Sequence, residues 1–188
     1  MFNILVVVGS LRKESFNRKL ALALDKLNHP QSKFSLAQIN DIPLFNQDLE
    51  QDLPAAVVRL IQEISQADAI LLVTPEYNRS IPGVLKNIID WGSRPYGQNS
   101  WRGKPTAIIG TSQGNVATAC AQAHLRSIMV AIDAILLGLP EVYLIYKEGL
   151  IDEAFNITVE STQKFLQGFL ERFAQWIELH HQNRQTIT

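Results

Sequence analysis

Hydroxyl, amide and cationic side chains are concentrated in residues 10–18, SLRKESFNR. The segment follows the apolar run at residues 4–8 and precedes leucines at helical spacing, so it should connect a strand to a helix N-terminus. The free N–H groups and the positive dipole end of a helix N-terminus attract anions. The added hydroxyl and guanidinium groups predict a site for a phosphate dianion. The alternative is a polar turn in which Ser15 or Asn17 caps the helix, which does not by itself account for so many anion-binding groups.

Two more polar loops follow apolar runs. Residues 75–83, PEYNRSIPG, follow the run at residues 69–74, and residues 111–115, TSQGN, follow the run at residues 106–110. In doubly wound sheets, ligands bind at the carboxyl ends of the strands, where the strand order reverses. We therefore expect these two loops and the first polar segment to converge on one site.

The rest of the chain alternates apolar runs with segments of helical spacing. We predict strands at residues 4–8, 34–39, 69–74, 106–110 and 140–145, and helices beginning near residues 17, 54, 82, 116 and 158. The fourth helix is expected to run to Leu137, the last to about His181, and residues 40–53 to form a long surface loop. This alternation predicts one α/β domain, a doubly wound five-stranded parallel sheet with helices on both faces.

Composition narrows the class of protein. The chain has 188 residues, 46% of them apolar, and a net charge of −1, which excludes a disordered chain and gives no basic surplus for nucleic acid or an anionic membrane surface. The single cysteine, Cys120, fits a reducing compartment, and no apolar run approaches the length of a membrane span. We expect a cytoplasmic protein that does not insert into membranes.

Several well-known sites are missing from the sequence. There is no G-x-G-x-x-G dinucleotide motif, no P-loop and no G-x-S-x-G nucleophile elbow. We assign no catalytic or metal-binding role to the four histidines, His29, His124, His180 and His181. One phosphate site remains, together with the two other polar loops. In these loops, Tyr77 could pack against a flat ring, and Gly114 allows the backbone to come close to a ligand. These features fit flavin mononucleotide (FMN) in a flavodoxin-like fold.

Three segments resemble the NAD(P)H-dependent FMN reductase family, especially its bacterial chromate and quinone reductase branch. They are GSLRKESFNRKLA at residues 9–21, TPEYNRSIPGVLKNIIDW at residues 74–91 and AHLRSIMV at residues 123–130. The resemblance covers most of the chain and implies a single flavodoxin-like domain with strand order 2-1-3-4-5. It implies that FMN contacts Ser10, Arg12, Ser15, Phe16 and Asn17 near the phosphate, Pro75, Glu76, Tyr77, Asn78 and Arg79 along the ring, and Ser112, Gln113 and Gly114 beside it.

The resemblance also implies the reaction and the assembly. NAD(P)H reduces the bound FMN, and a quinone, chromate, an azo compound or free flavin then takes two electrons; no side chain is assigned as a general acid or base. A homodimer or homotetramer is implied, with Arg79 and residues 40–53 close to the second chain. Residues 123–134 are expected at the interface, because Met129, Val130 and Ile135 lie off the apolar stripe of the predicted fourth helix.

Two other functions remain open. The first is a flavodoxin-type electron carrier, although carriers that dock electrostatically tend to be strongly charged and this chain is nearly neutral. The second is a phosphate-binding or regulatory module without a redox role.

Overall fold

The computed structural model describes residues 1–27 and 30–185. Within these ranges the strands are β1 (Phe2–Val8), β2 (Ser32–Leu36), β3 (Ala69–Val73), β4 (Pro105–Ser112), β5 (Ile135–Leu136) and β6 (Val142–Ile145). The helices are α1 (Phe16–Leu27), α2 (Ala55–Gln66), α3 (Gly83–Gly92), α4 (Ala119–Ala131) and α5 (Glu160–Gln185), with a 3₁₀ helix at Gln47–Gln51. No described helix is both long enough and apolar enough to pass through a membrane.

The strands form one parallel sheet in the order β2-β1-β3-β4-β5, so the predicted order is confirmed. The fifth position, however, is shared by two short strands. β5 pairs with the start of β4, at Pro105 and Thr106, whereas β6 pairs with its end, from Ile109 to Ser112. The prediction of a single fifth strand is corrected to two segments that lie along one edge of β4.

Helices cover both faces of the sheet, as predicted. Alternate side chains of a strand point to opposite faces, and β1 shows this directly. Ile4 and Val6 belong to a core with α1 and α5, and Leu5 and Val7 belong to a core with α2, α3 and α4. β3 is buried along its whole length, as expected for a central parallel strand.

The predicted fourth helix is too long at both ends. α4 ends at Ala131 because Asp133 adopts a left-handed conformation, with φ of 63°. The N–H of Ala134 donates to the carbonyl of Met129, and that of Asp133 to Val130, both at 3.0 Å. These two bonds form a Schellman motif, which ordinarily places glycine at the left-handed position. Because this position holds an aspartate, the sequence carries no glycine signal for the end of the helix. Ile135, predicted to be helical, lies in β5 instead.

The predicted second apolar face of α4 is smaller than expected. Met129 is fully buried in the core of the monomer, and Ile135 is in the sheet, so neither forms a second apolar helix face. Of the three residues, Val130, at 64% exposed, is the one that remains available for an interface.

Several smaller boundaries also differ from the predictions. The second strand, predicted at residues 34–39, spans Ser32–Leu36. Residues 40–53 contain the 3₁₀ helix, which Asn46 caps by accepting the N–H of Asp48. Pro54 is the N-cap of α2 rather than its first residue. β4 continues to Ser112, so two residues assigned to the third loop are strand residues.

Candidate active site

The three polar loops converge at the carboxyl ends of β1, β3 and β4. They surround a cavity of about 150 Å³, which adjoins a space of about 570 Å³ across Glu76 and Ser112. We call the two together the cleft; its size is in the range of ligand sites, about 300–1,000 Å³. Of the predicted cofactor residues, all but Asn78 line it: Ser10, Arg12, Ser15, Phe16, Asn17, Pro75, Glu76, Tyr77, Arg79, Ser112, Gln113 and Gly114.

In the first loop, Ser15 is the N-cap of α1. Its Oγ accepts a hydrogen bond from the N–H of Arg18 at 3.3 Å, and the residue is 3% exposed. The Oγ of Ser10 likewise accepts the N–H of Arg12 at 3.3 Å. A hydroxyl that accepts one bond still carries a proton to donate. The capping role is therefore confirmed, and both hydroxyls can in addition donate to an anion in the cleft.

Arg12 lies above the first turn of α1. Its guanidinium carbon is 5.0 Å from the centre of the Phe16 ring, which stacks on the Tyr146 ring at 4.0 Å between centroids. The stack keeps a cation near the positive end of the helix dipole, where an anionic ligand would be held by both. Sequence inspection missed Tyr146, because its partner is 130 positions away and no local pattern links the two.

Asn17 joins the first loop to the third. Its amide Nδ2 donates to the carbonyl of Thr111 at 2.9 Å, and its Oδ1 accepts the N–H of Thr111 at 3.0 Å. The Asn17 and Thr111 residues are 2% and 1% exposed. One side chain thus satisfies both the N–H and the carbonyl of Thr111 at the buried end of β4. These two bonds fix the distance between the first and third loops, which are the two walls of the cleft.

The second loop ends in a tight turn. Tyr77 and Ser80 exchange two backbone hydrogen bonds of 3.0 Å, and the residues between them, Asn78 and Arg79, have φ of 50° and 65°. Positive φ at both central positions is the requirement of a type I′ turn. The turn leaves the Tyr77 side chain 49% exposed at the edge of the cleft.

Glu76 ties the second loop to α4. One carboxylate oxygen accepts the N–H of Ala121 in the first turn of that helix at 3.1 Å, and the other lies 3.5 Å from the guanidinium of Arg79. A carboxylate at a helix N-terminus is stabilised by the helix dipole. A second link to α4 is the 3.0 Å hydrogen bond between Ser80 Oγ and His124 Nδ1. Of the other histidines, His29 lies outside the described residues.

Ser112 organises the third loop. Its Oγ donates to the carbonyl of Ala117 at 2.7 Å and accepts the N–H of Gly114 at 3.2 Å, so the loop turns back on itself and leaves Gln113 and Gly114 exposed. Gly110, two residues earlier, was also missed. A Cβ there would collide with the carbonyl oxygen of Thr74, so glycine is what allows β4 to pass so near the start of the second loop.

The cleft fits a ligand with one phosphate and a flat ring. Its first loop offers a cation, two hydroxyls and a helix N-terminus, which together suit a phosphate. Its second and third loops offer an exposed tyrosine, a tight turn and exposed backbone, which suit the face and edge of a ring. FMN has this combination of groups.

Comparison with known proteins agrees with the geometry. The family model described as NADPH-dependent FMN reductase matches residues 2–148. A 2-hydroxy-1,4-benzoquinone reductase from a Burkholderia species is 49% identical over 93% of this chain and 95% of its own. A quinone reductase from Pseudomonas putida is 44% identical over 96% of this chain and 97% of its own.

Solved structures give the same result. FerB, a flavoenzyme NAD(P)H:(acceptor) oxidoreductase from Paracoccus denitrificans, superposes with a TM-score of 0.93 and 47% identity, covering 96% of this chain and 99% of that one. A flavodoxin, WrbA-like protein from Agrobacterium tumefaciens, at 16% identity and a TM-score of 0.61 over 97% and 99% of the two chains, shows the shared fold alone. The sequence motifs, the fold and the close relatives agree, and the chain belongs to the NADPH-dependent FMN reductase family.

Proposed function

We propose that this protein is an FMN-dependent NAD(P)H:acceptor oxidoreductase whose acceptor is a quinone. The observation that carries the proposal is the convergence of three loops on one cleft with a cationic, hydroxyl-lined end and an open aromatic end. The relatives named 2-hydroxy-1,4-benzoquinone reductase and quinone reductase support the choice of acceptor.

The first loop holds the FMN phosphate in this proposal. Arg12 supplies the charge, and Ser10 and Ser15 donate their remaining hydroxyl protons. Phe16 contributes by holding the guanidinium of Arg12 in place. Asn17 acts through position, because its amide is bound to the backbone of Thr111 and sets the width of the cleft.

The second and third loops hold the flavin ring. Pro75, Glu76 and Tyr77 line the cleft at the end of β3, and the turn through Asn78 and Arg79 forms its rim. Ser112, Gln113 and Gly114 lie opposite. Bound FMN supplies the redox chemistry, accepting a hydride and returning two electrons. Backbone N–H groups of the third loop other than that of Gly114, which donates to Ser112, would stabilise negative charge on the ring, and no side chain is assigned as proton donor.

The test starts from the purified protein. We expect a yellow protein that releases FMN, not FAD, on heating, because the cleft has one phosphate end. Anaerobic stopped-flow mixing with NADPH or NADH should bleach the flavin without a second protein, and a benzoquinone should restore the colour. Reduction only in the presence of a separate reductase would indicate the electron carrier instead, and absence of flavin would indicate the phosphate-binding module.

The proposal includes a homodimer or homotetramer in the cytoplasm. Exposed apolar side chains at Val130 and Leu139, 64% and 72% exposed, support an interface near the end of α4. The single cysteine supports a reducing compartment. Light scattering at low micromolar concentration should give a multiple of the 21.1 kDa chain mass, and a monomer with full activity would refute the assembly.

A further inference from the structure

A second cavity lies on the other side of the first loop from the cleft. It has a volume of about 640 Å³ and is bounded by residues 8–14 and Arg18 on one side and by residues 36–40, after β2, on the other. Ser10 and Arg12 line both this cavity and the cleft, so the two spaces adjoin along the first loop. We call it the basic cavity.

Its side chains make it electropositive. Arg12, Lys13 and Arg18 are all exposed there, against one carboxylate, Glu14, whose charge is balanced by Lys19 at 3.2 Å. Among the described residues, neither the Lys13 ammonium nor the Arg18 guanidinium forms an ion pair or a side-chain hydrogen bond. Lys13 and Arg18 therefore offer two unpaired positive charges next to Arg12, near the N-terminus of α1. This arrangement suits an anion with more than one negative charge.

The cavity also has an apolar wall. Leu11 and Leu36 are 58% and 42% exposed, and Ile39 is buried behind them. The nearby carboxylate of Asp41 accepts two hydrogen bonds of 2.8 Å from the guanidinium of Arg59. Its negative charge is therefore balanced and does not repel an anion in the cavity. An apolar surface next to unpaired cations fits a purine base that carries a phosphate on its ribose.

From this arrangement we infer that the basic cavity binds the adenosine half of NADPH and that Lys13 and Arg18 recognise its 2′-phosphate. The inference rests on the proposed function, in which NAD(P)H is the reductant. FMN has one phosphate, for which the cleft has its own hydroxyls and helix N-terminus, so the additional cations serve another anion. A dinucleotide whose nicotinamide lies against the flavin in the cleft would run past the first loop, whose Ser10 and Arg12 hold the FMN phosphate, and would place its 2′-phosphate in the basic cavity beside Lys13 and Arg18. The enzyme should therefore prefer NADPH to NADH.

The test compares two adenosine nucleotides on the FMN-loaded protein. Calorimetry should show that 2′,5′-ADP binds at least about tenfold more tightly than 5′-AMP, which lacks only the 2′-phosphate; this ratio corresponds to about 1.4 kcal/mol. Lys13→Gln and Arg18→Gln should each reduce that preference severalfold. Both residues are exposed, so the fold should tolerate the changes. Lys164→Gln, the same change on α5, should leave the preference as it is.

Steady-state kinetics give the second measurement. The ratio of kcat/KM for NADPH to that for NADH should fall about tenfold when Lys13 and Arg18 are both replaced by glutamine. Equal binding of the two nucleotides by the unmodified protein, or an unchanged ratio in the double variant, would overturn the inference. The proposed function is tested separately, because flavin reduction by either dinucleotide supports it whatever the ratio, and nucleotide binding is measured without turnover.

Discussion

The hydrogen bonds of Asn17 allow a quantitative test of how the cleft is held together. Replacing Asn17 with alanine removes two hydrogen bonds, of 2.9 and 3.0 Å, and leaves the N–H and the carbonyl of Thr111 unpaired. Thr111 is 1% exposed, so water cannot readily replace the lost partners. A buried polar group without a partner costs about 1–3 kcal/mol, so the two groups together give a loss of about 2–6 kcal/mol in the free energy of unfolding. That is a large part of the stability of an ordinary domain, about 5–15 kcal/mol.

Urea unfolding of the FMN-free protein would measure this loss. Trp91 and Trp101 are fully buried, so their fluorescence should report the transition. Asn3→Ala is the matched control, because Asn3 is exposed and its side-chain amide forms no hydrogen bond among the described residues; its effect should stay within about 0.5 kcal/mol. FMN should also bind the Asn17 variant more weakly, since the two walls are no longer joined. An unfolding free energy for Asn17→Ala within about 0.5 kcal/mol of the unmodified protein would refute the reasoning.

Three other changes have distinct expected outcomes. Arg12→Ala should weaken FMN binding by about 1.5–3 kcal/mol in a titration of the FMN-free protein, without altering its unfolding, because the lost contact is charge-assisted and exposed. Gly110→Ala should lower the free energy of unfolding by about 1–3 kcal/mol through overpacking, while Gly83→Ala, with open space around its Cβ, should not. The side-chain hydrogen bond from Arg59 lowers the pKa of Asp41, so the charged carboxylate stabilises the fold above its unfolded pKa of about 3.9 and this contribution is lost as the pH falls. Asp41→Asn should therefore flatten the acid limb of a stability-versus-pH curve.

Much of the functional assignment could be predicted from the sequence. The family, the enzyme class and the use of FMN with NAD(P)H are confirmed by the family model and the close relatives. The predicted cofactor contacts, the oligomer and the acceptor stay predictions that the experiments above address. They rest on the cleft, whose loops do converge as predicted from their positions after parallel strands.

Local patterns determined what depends on neighbouring residues. Apolar runs specified the buried strands, helical spacing specified most helices, and the hydroxyls and cations of residues 10–18 marked the helix N-terminus that suits a phosphate. These features depend on residues a few positions apart, where periodicity and capping chemistry act directly.

The tertiary structure decided what depends on distant partners. The amide of Asn17 looks like a ligand in sequence, but its partner Thr111 is 94 positions away and is brought to it by the order of the strands. Asp133 ends α4 because the carbonyls of the last turn are satisfied around a left-handed residue that is not glycine, a choice that composition does not reveal. The basic cavity likewise forms only because β2 pairs beside β1 and brings residues 36–40 opposite Lys13 and Arg18. Hydrogen bonding and packing between elements, which a single sequence does not record, fix all three.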